Sequence, residues 1–126
     1  FELRTAIAKH DVEKVNLIVK HKLSDPNSKD MFPMLSLIFG YFQNLMIAFY
    51  APAPRNASAI MSYLGLSSEW ATKDYVEGMR YYSPMKTLLI IDKIREVEGK
   101  LKGLDATANT PKSDLMKELF FFILHD

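Results

Sequence analysis

The chain has no cysteine and only five glycines among its 126 residues. The first absence excludes a disulfide framework and thiolate chemistry, whether catalytic or metal-binding, and is compatible with the reducing cytoplasm, where the protein is expected. The glycines stand scattered at 40, 65, 78, 99 and 103, and none leads into the Lys-Ser/Thr of a phosphate-cradling loop. Nucleotide binding is therefore not expected. The three histidines, His10, His21 and His125, share no ligand spacing and have no Cys or paired carboxylate beside them in sequence, so no metal or other cofactor is expected. Ser67-Ser68 lacks the Gly-x-Ser-x-Gly surroundings of a nucleophile elbow and suits a helix cap better. The residues give no sign of an enzyme.

An excess of one charge is also missing. The formal net charge is +1, which supplies no global electrostatic reason to expect nucleic acid or an anionic membrane as partner. The composition, 48% hydrophobic and 25% charged, is that of a globular protein, and 126 residues suffice to bury one core without staples, so one domain over 1–126 is expected. The chain begins Phe1-Glu2-Leu3 with no basic n-region before an apolar stretch, and it looks like a domain excised from a larger chain, not a secreted precursor.

The longest absence of charge is local. From Met31 to Ala51 no residue is ionisable as an acid or base at neutral pH, and a run of this length suits either a membrane span or a central core helix. Leu35, Ile38, Phe42, Leu45 and Phe49 recur at steps of three and four, with Phe39 and Met46 widening the stripe. Gln43 and Asn44 at mid-run would be awkward facing lipid, and neither flank concentrates Lys or Arg. The expectation is a core helix, covered by other helices over most of its circumference, and no membrane.

No stretch alternates with period two for long enough to make a strand, and the rest of the chain reads as six further helices. Leu3, Ala6 and Ile7 mark a short first helix, ended where Asp11 caps the second, whose stripe is Val12, Val15, Ile18, Val19 and Leu23. Ser24 to Ser28 is turn chemistry, and Asp30 is expected to cap the central helix. Ala51-Pro52-Ala53-Pro54 must turn the chain. Asn56 or Ser58 starts a short helix with Ile60, Met61 and Leu64, closed by Gly65. Ser67 or Ser68 caps the next, with Trp70, Tyr75, Val76, Met79 and Tyr82 as its apolar positions. Ser83-Pro84 opens a long helix to about Lys102, expected to bury Leu88, Ile91, Ile94, Val97 and Leu101 and to carry Glu96–Lys100, Glu98–Lys102 and Asp92–Arg95 pairs outside. Leu104 to Asn109 is a loop, and Thr110-Pro111 restarts a helix through Leu115, Met116, Leu119, Phe120 and Ile123.

Two surfaces are candidates for function. The unit from Gly65 to Tyr82 superficially resembles a helix-turn-helix and mixes Lys73, Arg80, Tyr81 and Tyr82 in the manner of a nucleic-acid contact, against which Glu69, Asp74 and Glu77 would repel phosphate. The C-terminal run Leu119 to Leu124 is apolar in every direction around a helix. One face suffices for the domain's own core, so Phe120 or Phe121, together with Leu124, is expected to face a protein partner.

Several segments in order are similar to the C-terminal domain of the bacterial DNA polymerase III delta subunit, in its Bacteroides-like form. They are Phe1-Glu2-Leu3-Arg4 with Asp11-Val12; the stretch Phe42 to Pro52 ending Tyr50-Ala51-Pro52; Leu64-Gly65-Leu66 with Trp70; Met79 to Ser83; Lys102-Gly103; and Asp114 to Leu119 with Ile123-Leu124-His125. Glu98 stands where that family tends to have Asp. The resemblance covers nearly the whole chain, and its specificity lies in order and spacing, not in a catalytic signature. It implies an all-α bundle of six to seven helices, a collar domain that holds delta in a ring with delta-prime and the gamma/tau subunits. That complex places the sliding clamp on primed DNA, and delta is not its ATP-hydrolysing subunit.

Overall fold

A computed structural model describes residues 2–24, 31–52, 55–103 and 111–125. Among these the chain forms seven helices and no strand: α1 (Glu2–Ala8), α2 (Val12–Leu23), α3 (Met31–Ala48), α4 (Ala57–Leu64), α5 (Glu69–Gly78), α6 (Pro84–Leu101) and α7 (Lys112–Leu124). The expected turn at 25–28, the Asp30 cap and the loop at 104–109 lie outside the described residues.

Local chemistry sets the helix starts. The side chains of Asp11, Asn56, Ser68 and Ser83 accept from Lys14 N, Ala59 N, Trp70 N and Lys86 N, each satisfying a first-turn donor that the helix leaves open, and Pro84 takes the first position of α6. Gly65 ends α4 at φ 70°, the left-handed conformation glycine adopts without strain. His10 takes the same conformation after α1, at φ 55°, without being glycine. Its ring stacks on Tyr81 at 5.7 Å, a contact that offsets the backbone cost.

The core gathers around α3, which packs on α1, α4, α5 and α6. Met34, Leu35, Ile38, Tyr41, Phe42, Leu45 and Ala48 are buried there, and α7 contributes Leu115, Met116, Leu119, Phe120, Ile123 and Leu124. By length and composition α3 could cross a bilayer. Its cover is narrower than the sequence suggests: Phe32, Ser36, Gln43 and Ile47, spaced four, seven and four apart, are exposed and form one open face. The two polar residues at mid-run are accounted for, because Gln43 lies on that face and Asn44 donates to the Tyr75 hydroxyl at 3.1 Å.

In α6 the buried residues are Thr87, Ile90, Ile94, Val97 and Leu101. Leu88, expected inside, is exposed, and Ile91 is half-buried. The buried stripe runs back from Ile94 through Ile90 to Thr87 at steps of four and three, and the Thr87 hydroxyl, donating to Ser83 O at 2.8 Å, is satisfied inside the protein. The Glu96–Lys100 and Glu98–Lys102 pairs form, at 3.5 and 3.6 Å, whereas the Arg95 guanidinium lies over the Phe39 ring at 5.3 Å.

Candidate assembly surface

The C-terminal helix answers for the second candidate. Phe120 and Leu124 are buried in the domain's own core, which removes both from any free surface, and Phe122 is half-buried. Phe121 alone of the run is open, 66% exposed, with the His125 ring 4.4 Å away. The core claims more of α7 than one face because α2 and α6 both pack on it. Lys86 of α6 reaches across to donate to Phe122 O and His125 O at 2.7 and 2.9 Å, with its ammonium 4.2 Å from the Phe122 ring centroid. A cation thus closes the C-terminal end of α7, where the carbonyls otherwise lack partners.

The nucleic-acid candidates are dispersed. Lys73 and Arg80 are exposed, but Arg80 lies 3.8 Å from Glu77, and the Tyr81 ring is engaged by His10. Tyr82 points inward, donating to Ile7 O at 2.8 Å and meeting Phe42 edge-on. Burial pushes its phenol above the ordinary range. The helix-turn-helix likeness of α4 and α5 therefore presents no uninterrupted basic stripe.

A buried polar cluster ties α1, α3 and α5 together. Asp74 accepts from Arg4 Nε at 2.9 Å and Thr5 Oγ1 at 3.2 Å, while the Tyr41 hydroxyl donates to Asp74 O at 2.6 Å and its ring stacks on Tyr75 at 5.2 Å. Burial, reinforced by the neighbouring Tyr82, Asp74 and Tyr75, pushes the Tyr41 phenol well above the ordinary range. Gly78 lies against the same hydroxyl so closely that a methyl group there would collide with it. Each group in the cluster is satisfied, and no metal-binding group of His, Asp or Glu forms among the described residues.

Further exposed apolar side chains lie on α3 and α6, which pack against each other. Tyr82, just before α6, meets Phe42, and Arg95 further along meets Phe39, so α6 runs back along α3. This direction sets the start of α6 beside Phe42 of α3. On the outward face of α6, Met85 and, three and four residues on from it, Leu88 and Leu89 are 65%, 43% and 46% exposed. Ile47 and Tyr50 are exposed at the end of α3. No charged residue stands between Met31 and Ala51, and the only one between Pro84 and Ile91 is Lys86, turned onto α7. Five large apolar side chains thus stand exposed on these two packed helices and the turn after α3, bordered by Asp92 one turn beyond Leu88 and by Arg55, which donates to Ala51 O at 3.2 Å beside Tyr50. Sequence reasoning missed this surface by placing Leu88 inside; the signal was the pair Leu88-Leu89, since a single stripe cannot bury both neighbours fully along with Ile90 and Ile91.

Comparison with protein-family models, curated proteins and solved structures finds no match to this chain.

Proposed function

We propose that this chain is an assembly module, the collar domain of a delta-type subunit of the bacterial DNA polymerase III clamp loader. In this reading it holds its subunit against delta-prime and gamma/tau in the complex that loads the sliding clamp on primed DNA. It carries out no catalysis itself, needs no cofactor, and works in the cytoplasm without a membrane. The observation that supports assembly is the exposure of Met85, Leu88 and Leu89 on one face of α6, with Ile47 and Tyr50 exposed on and after α3, because exposed apolar side chains grouped on a helix face mark protein contacts. The delta-type assignment rests on the ordered sequence resemblance from Phe1 to His125. The test is gel filtration of the chain mixed with purified delta-prime and gamma/tau subunits. Co-elution is the expected result, and separate elution at micromolar concentration would contradict the proposal. A DNA-binding role for the Gly65 to Tyr82 unit would instead give binding to primed DNA at physiological salt with a steep salt dependence.

A further inference from the structure

Helices α2 and α7 pack on one another and leave an open groove of about 270 Å³ between them. Val19 and Phe120, both buried, form its floor, and Asn16, Lys20 and Lys117, all exposed, stand along its edges. The groove is lined by no carboxylate, and neither lysine makes a hydrogen bond or ion pair with a described residue. Glu13 and Asp114 stand one turn before Asn16 and Lys117, exposed and outside the lining, and Glu118 is turned further away. Apolar surface continues past both edges. Leu17, one turn before Lys20, and Phe121, one turn after Lys117, are 63% and 66% exposed.

We propose that the α2–α7 groove is a second protein-binding surface, which takes an amphipathic helix of a partner carrying carboxylates between apolar side chains. The carboxylates meet Lys20 and Lys117, and the apolar side chains cover Val19, Phe120 and the exposed Leu17 and Phe121. Unpaired positive charge over an apolar floor selects a negatively charged occupant, and an exposed aromatic ring beside it supplies an anchor. A small carboxylate would fill the groove and leave Leu17 and Phe121 in water, whereas an occupant of helix width covers them as well. Nucleic acid or an anionic bilayer presents negative charge throughout and would meet Glu13 and Asp114 together with the lysines; a helix can confine its carboxylates to the two lysine positions. The groove shares no residue with the apolar face of α6 or with Ile47 and Tyr50, so the two surfaces can be tested apart and this one does not depend on the clamp-loader reading.

The experiment follows the backbone amides of the isotope-labelled chain by NMR during titration with a blocked helical peptide that places glutamates one turn apart between leucines. The same peptide with glutamine for glutamate, and vesicles of phosphatidylglycerol, are titrated alongside. Saturable shifts confined to α2 and α7 and centred on Lys20, Lys117 and Phe121 are expected with the glutamate peptide. Its affinity is expected to fall about tenfold or more with the glutamine exchange and in the K20E/K117E double variant, and to fall also with Phe121→Ser. All three positions are exposed, and an unchanged melting temperature verifies that the variants stay folded. Equal response to the two peptides, no response to either, shifts centred on α6, or a stronger response to the vesicles would each overturn the proposal.

Discussion

The two sides of α3 follow opposite rules. Toward α1 and α5 it buries polar groups, with Tyr41, Asp74, Thr5 and Arg4 satisfied in one cluster. On its open side it leaves apolar side chains in water, Ile47 and then Tyr50, as its packing partner α6 does with Met85, Leu88 and Leu89. A domain that only had to fold would gain from the reverse distribution, since burying polar groups costs free energy unless every one is bonded and exposing apolar groups forfeits hydrophobic burial. The difference separates two jobs. The polar corner fixes how helices distant in sequence meet, and the apolar face is available to a partner.

The largest effect that could break this contrast lies at their junction. Phe42 is fully buried and meets both Tyr41 and Tyr82, so Phe42→Ala is expected to cost about 3–5 kcal/mol in urea denaturation through the cavity left. A loss under about 1 kcal/mol would show that the core does not centre on this ring. Next comes the corner itself. Asp74→Ala leaves Arg4 without its carboxylate and Thr5 without its acceptor. Because both charged side chains keep a little solvent contact, 13% and 12%, the expected cost is about 2–3 kcal/mol, below that of a fully buried pair. Gly78→Ala drives a methyl group into the Tyr41 hydroxyl and is expected to cost about 1–3 kcal/mol; relief of that cost by Tyr41→Phe in a double-mutant cycle would locate the collision.

The tyrosines of the corner also give it a pH signature. Tyr41 and Tyr82 both have folded-state values above the ordinary 10.0, so below pH 10 each is neutral in the folded and unfolded chain and contributes no slope. Above pH 10 the unfolded chain releases these protons and the folded chain keeps them, and stability falls by up to about 1.4 kcal/mol per pH unit for each group. Equilibrium denaturation from pH 9 to 11 is expected to show this decline, and the Tyr41→Phe and Tyr82→Phe variants to flatten it. An equal slope in the variants would mean that neither phenol is sheltered.

The helix starts were legible because they are local: Asp11, Asn56, Ser68 and Ser83 act on donors two or three residues away. The corner was not, because Arg4 and Asp74 stand 70 residues apart and nothing near either announces the other. The apolar face was misjudged for a different reason. Thr87 is polar by type, yet its hydroxyl bonds within its own helix, so it can take the buried stripe's first position, and Leu88 beside it is exposed. At the C-terminus the apolar run suggests one face for the core and Phe120 or Phe121 with Leu124 left over, but two packing neighbours absorb Phe120 and Leu124 and leave Phe121.

The most direct measurement of the assembly claim pairs stability with association for the double variant Leu88→Ser, Leu89→Ser. Both side chains are nearly half exposed, so thermal unfolding by circular dichroism is expected to shift by no more than about 1 kcal/mol in stability. Gel filtration with delta-prime and gamma/tau is expected to show the wild-type chain in the complex and the variant outside it. A folded variant that still enters the complex at wild-type concentration would contradict the claim that this face joins the assembly.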